Sequence, residues 1–529
     1  MNFTVISKGR QFDRLAIMYL NDTEIYRTST AEPTVHGIRW EYHKDMTAYL
    51  SLWNSPQKII FDLGNLVNDI YTGSFNATLV ASFSFVADTI EPASLIVPIS
   101  ARKSSSNAAS LFMLPGDKAF NTIQLPRNIN RAIFSVSACG QAQEEFFWAN
   151  TLQSDIETFS NTTGILYGHS PFREVQVLID GKLAGVQWPF PVIFTGGVVP
   201  GLWRPIVGID AFDLKEHEID ISPWLSILCD GKEHTFEIKV FGIDNHGDTV
   251  TLTAGIGSSW YVTGKIFIWQ HIDSNVVING TPPMVLLSKP FIELKSVTTQ
   301  DIHGINDSLA YVAKVQRTLR ISSIINTSSG NKEYSWSQTL SLNSYNRFTR
   351  YGEVQQTVHT TSGLDQSTGP QPYISLYDYD LNVNNSYSSD ASGNFTLDAA
   401  LAQRRYHLMD GISVFDTPSE FTTELRGSAH YFASPEAKLS TGFGNTSQVY
   451  DYYTFLQKGN KYKACAKAKR NDRYFRNVTA VNGTVTKNIE RICDEQVLSF
   501  VPVTVQASIA SSEYDPDGSP KKHLGRGPS

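Results

Sequence analysis

A carboxylate and a guanidinium stand together at the entrance to an apolar strand near the start of the chain. Asp13 and Arg14 come directly before LAIMYL (15–20), a run that is apolar on both faces and is therefore predicted to be a covered, central strand. Burial and the neighbouring cation would set the pKa of the Asp13 carboxyl group, as happens at the rim of a cleft. A salt bridge or a solvated strand end explains the same pair without any catalytic role.

A second candidate segment, QEEFFW, places two carboxylates beside three aromatic rings. Successive side chains of a strand point to opposite faces, so as a strand it would put Glu144 on the face of Trp148 and Glu145 on the other. Aromatic rings can cover the apolar face of a sugar while carboxylates accept hydrogen bonds from its hydroxyls. An aromatic core strand with an exposed acid at its edge is the alternative.

A third segment is a long loop rich in Gly and Pro that carries Trp188, Trp203 and Arg204. Loops on rigid β scaffolds often hold binding residues, although tryptophans can also close the end of a sandwich. No GxSxG, P-loop or HExxH motif is present, and the cysteines lack zinc-site spacing. Hydrolysis by paired carboxylates is the chemistry that remains, and neither a metal nor an organic cofactor is expected.

The elements that must position these residues are predicted to be strands. Strand-length apolar runs recur between turn residues, whereas helical periodicity is scarce. The runs are 15–20, 58–63, 78–86, 132–138, 173–179, 234–243 and 265–272. Asp180-Gly181 separates REVQVLI from KLAGVQW and predicts a two-residue hairpin turn. The sequence is therefore predicted to be all-β.

Length and charge limit the possible functions. The chain has 529 residues and a formal charge of −7, with 18% charged residues, so it offers no basic field for nucleic acid. No apolar stretch is long enough to cross a membrane as a helix. Composition shifts near 115 and 285 predict segments 1–115, 116–285 and 286–511, followed by a disordered tail at 512–529.

Glycosylation sequons and cysteines indicate a secretory environment. No signal peptide is visible, yet Asn-x-Ser/Thr motifs are dense. Besides Asn2 they begin at Asn21, Asn76, Asn161, Asn279, Asn306, Asn326, Asn384, Asn394, Asn445, Asn477 and Asn482. Four cysteines suit the disulfides Cys139–Cys229 and Cys465–Cys493, although other pairings and free buried thiols remain open.

Several of these segments resemble the peptide-N-glycosidase A family, whose members are peptide-N4-(N-acetyl-β-glucosaminyl)asparagine amidases. The similar stretches are residues 9–34, 71–79, 144–150 and 171–214. A more distant resemblance is to a secreted bacterial peptide-N-glycosidase with two jelly rolls. It implies two adjacent jelly-roll β-sandwiches followed by a C-terminal β-rich region. Because the family normally begins with a signal peptide and further strands, the first sandwich is expected to be truncated here.

The resemblance also implies roles for individual residues. Asp13, in the step Phe-Asp-Arg, would act on the reacting amide, and Glu145 would activate water or position the sugar. Arg204 matches a functional arginine, and Asp62 is placed as a third acid. The remaining residues expected to contact substrate are Arg14, Glu144, Trp148, Trp188 and Trp203.

The resulting expectation is a monomeric enzyme, secreted or in the lumen of the secretory pathway, that cleaves the bond between asparagine and the first N-acetylglucosamine of an N-linked glycan. Its partners would be N-glycosylated peptides or glycoproteins, giving aspartate and a glycosylamine. A non-catalytic glycan-binding sandwich and an endoglycosidase are the alternatives, since paired acids also cleave glycosidic bonds.

Overall fold

The computed structural model describes residues 1–34, 36–84, 91–204, 206–247, 249–327, 330–415, 420–437, 439–453 and 472–493. The predicted tail at 512–529 and Cys465 lie outside these residues. Strands are the dominant element of the described chain, so the all-β prediction is confirmed. A short α-helix, α1, spans Leu225–Leu228. No helix among the described residues is long and apolar enough to cross a membrane.

The N-terminal segment forms two small antiparallel sheets that pack on each other. In one sheet β1 (Asn2–Lys8) lies between β4 (Ile38–His43) and β6 (Ser74–Val80). In the other, β2 (Leu15–Leu20) lies between β3 (Thr23–Ser29) and β5 (Ile59–Leu63). The ring of Phe3 on β1 lies 5.6 Å from Tyr26 on β3 and 5.3 Å from Phe61 on β5. The central, covered position predicted for LAIMYL is confirmed.

The middle segment, residues 91–270, contains two five-stranded antiparallel sheets. One has the order β13-β10-β16-β7 with β8 also pairing β16, and the other has the order β12-β11-β14-β15 with β9 also pairing β14. Their strands are β7 (Leu95–Ile99), β8 (Phe112–Leu114), β9 (Phe120–Gln124), β10 (Ile129–Gly140), β11 (Glu174–Ile179), β12 (Lys182–Gln187), β13 (His217–Asp220), β14 (Glu233–His246), β15 (Thr249–Thr253) and β16 (Trp260–Gln270). The two sheets meet where Phe134 stacks on Phe236, with ring centroids 6.5 Å apart.

A predicted hairpin and a predicted domain boundary both fall in this segment. Asp180 and Gly181 both have positive φ and join β11 to β12 with Ile179 opposite Lys182, so the predicted hairpin is confirmed. Strands β7 and β8, which precede residue 115, pair with β16. The division near 115 and the jelly-roll topology stay predictions.

The C-terminal segment is one large antiparallel sheet. Consecutive strands from β20 to β28 pair with each other, and β17, β18 and β19 all pair with β20. The strands are β17 (Asn279–Gly280), β18 (Met284–Leu287), β19 (Phe291–Gln300), β20 (Asn306–Thr327), β21 (Gly330–Thr349), β22 (Val354–Ser367), β23 (Tyr373–Ser389), β24 (Phe395–Gly411), β25 (Glu420–Ser434), β26 (Leu439–Tyr453), β27 (Asp472–Val481) and β28 (Thr484–Cys493). One face packs on the middle segment, and buried side chains of all three segments form a common core.

The predicted disulfide Cys139–Cys229 is wrong, because both cysteines are free buried thiols. The Cys139 sulfur instead accepts a hydrogen bond from the Arg27 guanidinium at 3.3 Å. Cys229 follows α1 on a different part of the core. The pairing Cys465–Cys493 lies outside the described residues and stays a prediction.

Candidate active site

The β2–β3 hairpin brings two acids together at its open end. Leu15 is paired with Ser29, and one residue further out the Arg14 amide donates to the Thr30 hydroxyl at 2.8 Å while the Thr30 amide donates to the Arg14 carbonyl at 2.9 Å. Asp13 and Glu32 lie just beyond these bonds, one on each arm. The hairpin therefore brings the two residues close together, with Ala31 in register with Asp13, although 18 intervening residues separate Asp13 from Glu32 in the sequence.

The third acid, Glu145, lies at the end of the turn that follows β10. Residues 142–144 form a tight turn in which the Glu145 amide donates to the Ala142 carbonyl at 3.3 Å, so this segment is not the strand that its aromatic pattern predicted. The turn directs Glu144 into the core and leaves Glu145 half-buried within electrostatic range of Asp13. Asp13 and Glu145, the two residues singled out from the sequence, are thus brought together.

Gly196 closes one side of the carboxylate cluster. Its backbone hydrogen-bonds to Asp13, and a side-chain carbon at this position would overlap Oδ1 of Asp13 and lie 2.6 Å from Oε1 of Glu32. The loop is held in place by Trp203, whose indole nitrogen donates to the Gly197 carbonyl at 2.8 Å. Glycine is therefore required at 196 for the loop to approach the acids this closely.

The environment of Asp13 favours its protonated form. Burial of the site and the carboxylates of Glu32 and Glu145 raise the pKa of Asp13 well above its usual range, against smaller opposing effects of its own amide and that of Gly196. Arg204 donates to Oε2 of Glu32 at 3.0 Å and thereby balances one of the neighbouring charges. The site can consequently present a neutral carboxylic acid next to carboxylates, an arrangement suited to acid–base catalysis.

Arg14 and Asp62 do not join this cluster in the way that the sequence suggested. The Arg14 guanidinium bonds to the side chain of Gln11 at 2.8 Å and lies over the ring of Tyr71. Asp62 is an exposed residue of β5 opposite Ile17, and Glu32 occupies the place expected for a third acid. The turn residues Asn21-Asp22 between two strand-like runs could have drawn attention to Glu32, because counting back from that turn sets residues 30 and 31, its near neighbours, opposite Asp13.

Glu144 was expected to contact substrate, and the structure corrects this. Its two carboxylate oxygens are bound by Nε and Nη2 of Arg173 at 2.5 and 2.8 Å, and the Trp260 indole donates to it at 2.7 Å. The pKa of Glu144 is lowered because the charge and hydrogen bonds of Arg173 outweigh the burial that would raise it. Glu144 therefore fixes the turn that carries Glu145.

The predicted sugar-stacking tryptophans are interior residues. Trp148 is 0% and Trp203 is 2% exposed, so neither can stack on a sugar, which is a correction of the sequence-based expectation. Their flat, apolar rings fill the core because the adjacent turns fold inward. Trp188 is likewise only 2% exposed; its indole nitrogen donates to Glu174 at 3.0 Å, and the ring borders a cavity of about 930 Å³ beneath the C-terminal sheet.

The fold and this site define an all-β protein with three clustered carboxyl groups at a hairpin end. A family model described as "Peptide N-acetyl-beta-D-glucosaminyl asparaginase amidase A" matches residues 1–281, and one described as "PNGase_A C-terminal domain" matches residues 310–383. The chain belongs to the peptide-N-glycosidase A family, as its sequence motifs indicated.

Two known proteins are similar to this chain to different extents. The "Peptide-N4-(N-acetyl-beta-glucosaminyl)asparagine amidase A" of Prunus dulcis is 33% identical over 342 residues, which are 61% of this chain and 56% of that relative. The chain thus spans little more than half the length of this curated relative. A solved structure titled "Structure of PNGF-II in C2 space group" is 11% identical, covering 51% of this chain and 57% of that one, with a TM-score of 0.31.

Proposed function

We propose that this chain hydrolyses the amide bond between asparagine and the first N-acetylglucosamine of N-linked glycans. The observation that carries the proposal is the convergence of Asp13, Glu32 and Glu145 in a family of amidases, with the pKa of Asp13 raised by burial and by the other two acids. The Prunus dulcis relative bears the name of the same reaction. Glycopeptides and glycoproteins are the corresponding substrates.

In the proposed hydrolysis, Glu145 is the general base and Asp13 is the general acid. Glu145 accepts a proton from the attacking water, whose oxygen bonds to the side-chain carbonyl carbon of asparagine. Neutral Asp13 gives its proton to the amide nitrogen as the carbon–nitrogen bond breaks, because an unprotonated amide nitrogen leaves poorly. The products are an aspartate-containing peptide and a glycosylamine, which then loses ammonia in water.

Glu32 and Arg204 act through Asp13 rather than on the bond that breaks. The Glu32 carboxylate favours the protonated state of Asp13, and Arg204 keeps Glu32 in position through their 3.0 Å contact. We therefore assign both as positioning residues for the acid. This assignment also explains why the Arg204 guanidinium bonds to Glu32, while no hydrogen bond from Arg204 to Asp13 is present in the described part of the chain.

Replacement of Asp13 by asparagine tests the proposed function directly. We expect Asp13→Asn to lower kcat/KM on a glycopeptide by about 10²–10⁴-fold, the usual contribution of a positioned acid or base. Mass spectrometry of the products measures the effect, with circular dichroism to show that the variant is folded. The wild-type protein should leave aspartate where the glycosylated asparagine stood.

Other products would identify the alternative functions. Release of the glycan with N-acetylglucosamine left on an intact asparagine would mean an endoglycosidase. Glycan binding without any turnover by the wild-type protein would mean a non-catalytic sugar-binding protein. Full activity of Asp13→Asn would remove Asp13 from the mechanism.

We also propose that the chain acts outside the cell or in the lumen of the secretory pathway. The support is its density of sequons, none of whose asparagines is buried. The exposed ones are Asn21, Asn76, Asn161, Asn279, Asn326, Asn384 and Asn482. Glycopeptide mapping of the protein isolated from its native source tests the assignment, and unmodified asparagine at every exposed sequon would contradict it.

A further inference from the structure

The 194–204 loop, which carries Gly196 and Arg204, is attached at its start to the N-terminal segment. The Thr195 hydroxyl donates to the Thr30 carbonyl at the open end of the β2–β3 hairpin. Thr195 and Thr30 are only 1% and 2% exposed, so this hydrogen bond is buried. One end of the loop is therefore fixed beside the carboxylate cluster.

The other end of the loop is attached to the C-terminal sheet. The Thr446 hydroxyl on β26 donates to the Leu202 carbonyl at 2.7 Å. Both residues are buried, and Leu202 belongs to the core that the three segments share. Leu202 comes two residues before Arg204, whose guanidinium bonds to Glu32. A buried hydrogen bond thus connects β26 to the part of the loop that carries this cation.

Strand β26 also approaches the loop too closely for a side chain to lie between them. A side-chain carbon at Gly444 would overlap the carbonyl oxygen of Gly201 and lie 2.6 Å from its carbonyl carbon. Gly444 does not have a positive φ, so glycine is needed here for space and not for backbone conformation. The backbone of β26 is therefore in direct contact with the backbone of the loop.

Two contacts connect this end of the loop to the acids. The Trp203 indole donates to the Gly197 carbonyl at 2.8 Å and so joins the end held by β26 to the start of the loop. The backbone of Gly196 hydrogen-bonds to Asp13, and Arg204 follows Trp203 directly. A loop released from β26 would consequently hold both Gly196 and Arg204 less firmly against the acids.

We propose that β26 of the C-terminal sheet positions the 194–204 loop, and that Thr446 and Gly444 are positioning residues for the acids. The inference rests on the proposed function for the reaction that the loop supports. Thr446 follows Leu202 by 244 residues, so only the folded chain makes this contact. The C-terminal sheet thereby takes part in catalysis through the loop, a role that requires no contact with substrate.

Removal of the Thr446 hydroxyl gives a selective test. In Thr446→Val we expect kcat on a glycopeptide to fall about three- to tenfold, the value of one hydrogen bond, with KM unchanged. Hydrogen–deuterium exchange measured by mass spectrometry should become faster at 194–204 and stay at the wild-type rate elsewhere. Thr446→Ser retains the hydroxyl and should restore both properties. Gly444→Ala, whose methyl group would push Gly201 away from β26, should give the same two effects more strongly.

Thr423→Val is the matched control. Thr423 lies on the neighbouring strand β25, and its buried hydroxyl has no hydrogen-bond partner among the described residues. Its removal should therefore leave kcat, KM and exchange of the loop at their wild-type values. The two substitutions at Thr446 keep the sequon formed by Asn445 and Ser447, so they do not remove a glycosylation site.

Hydrogen exchange separates this inference from the proposed function, because it requires no turnover. Equal exchange of the loop in Thr446→Val and Thr423→Val would overturn the inference, as would faster exchange spread evenly over the whole chain. Faster exchange of the loop with an unchanged kcat in an active protein would overturn the positioning role. Absence of hydrolysis by the wild-type protein, together with loop-specific faster exchange in Thr446→Val, would contradict the proposed function and still support attachment of the loop by β26.

Discussion

Asp13 is the general acid of the proposed reaction. The burial of its site and the carboxylates of Glu32 and Glu145 oppose its ionisation and raise its pKa, so the group can serve as a proton donor. Burial and the neighbouring carboxylates together are thus what suit this carboxyl group to the proposed role of general acid.

Glu32→Gln should change the pH dependence of activity in a defined direction. A general acid works only while protonated, so activity falls as pH rises through the pKa of Asp13. Removing the Glu32 charge lowers that pKa, and we expect the basic limb of kcat/KM to move to lower pH. Profiles of the wild type and the variant measure the shift.

Asp62→Asn provides the comparison, since Asp62 is the acid that sequence similarity suggested instead. Its exposed position on β5 predicts a profile identical to that of the wild type. A shift caused by Asp62→Asn, with none caused by Glu32→Gln, would return the third acidic role to Asp62.

At the level of elements, a hairpin, a turn and a loop position the site. The β2–β3 hairpin carries Asp13 and Glu32, the turn after β10 carries Glu145, and the loop at Gly196 covers them. The turn after β10 depends on Glu144, whose ion pair with Arg173 connects it to the start of β11 and, through Trp260, to β16. The geometry of the carboxylate cluster therefore depends on a neighbouring residue that is itself buried.

Glu144→Gln should destabilise the protein strongly. Breaking a buried ion pair leaves the Arg173 charge uncompensated and typically costs about 3–5 kcal/mol. Urea denaturation followed by fluorescence gives the free energy of unfolding. Glu333→Gln is the control, because its contact with Arg320 is half exposed and should contribute little. Equal stability of both variants would contradict the structural role of Glu144.

The strand that leads into this turn also carries a testable thiol. Cys139 on β10 and Cys229 after α1 are both free. We expect iodoacetamide to label both after unfolding without a reductant, as measured by peptide mass spectrometry. Detection of a linked peptide containing Cys139 and Cys229 would disprove this arrangement.

At the scale of the whole molecule, the C-terminal sheet is attached to the middle segment by buried polar contacts. Arg317 of β20 is paired with Glu174 of β11 at 2.8 Å, with 6% and 0% of their side chains exposed. Gln338 of β21 donates to the Val186 carbonyl at 2.9 Å and accepts from its amide at 2.8 Å. Separation would break this ion pair and these hydrogen bonds and would expose the apolar side chains of the common core to water, which is costly.

These contacts predict that the middle segment and the C-terminal sheet unfold together. Scanning calorimetry should show one cooperative transition for both, coincident with the loss of tryptophan fluorescence. Arg317→Met should lower its midpoint as a single transition, because Glu174 loses its buried partner. Two well-separated transitions in the wild-type protein would show that the contacts do not couple the segments.

Local pattern in the sequence was sufficient for features that depend on neighbours along the chain. The apolar run at 15–20 identified the covered strand β2, and Asp180-Gly181 identified the β11–β12 hairpin. The motifs around Asp13 and Glu145 identified the family. Each of these features follows from side-chain alternation, turn conformation or a contiguous motif. They were predictable because the physical cause lies within a few residues.

Only the tertiary structure decided which side chains join the carboxylate cluster and which face the core. The sequence alone could not distinguish Glu144 from Glu145, since the turn that separates them is fixed by Arg173 and Trp260, 29 and 116 residues away. Burial of Trp148 and Trp203, the choice of Glu32 over Asp62 and the cavity beneath the C-terminal sheet have the same origin. Each depends on packing between segments distant in the chain, which local spacing does not specify.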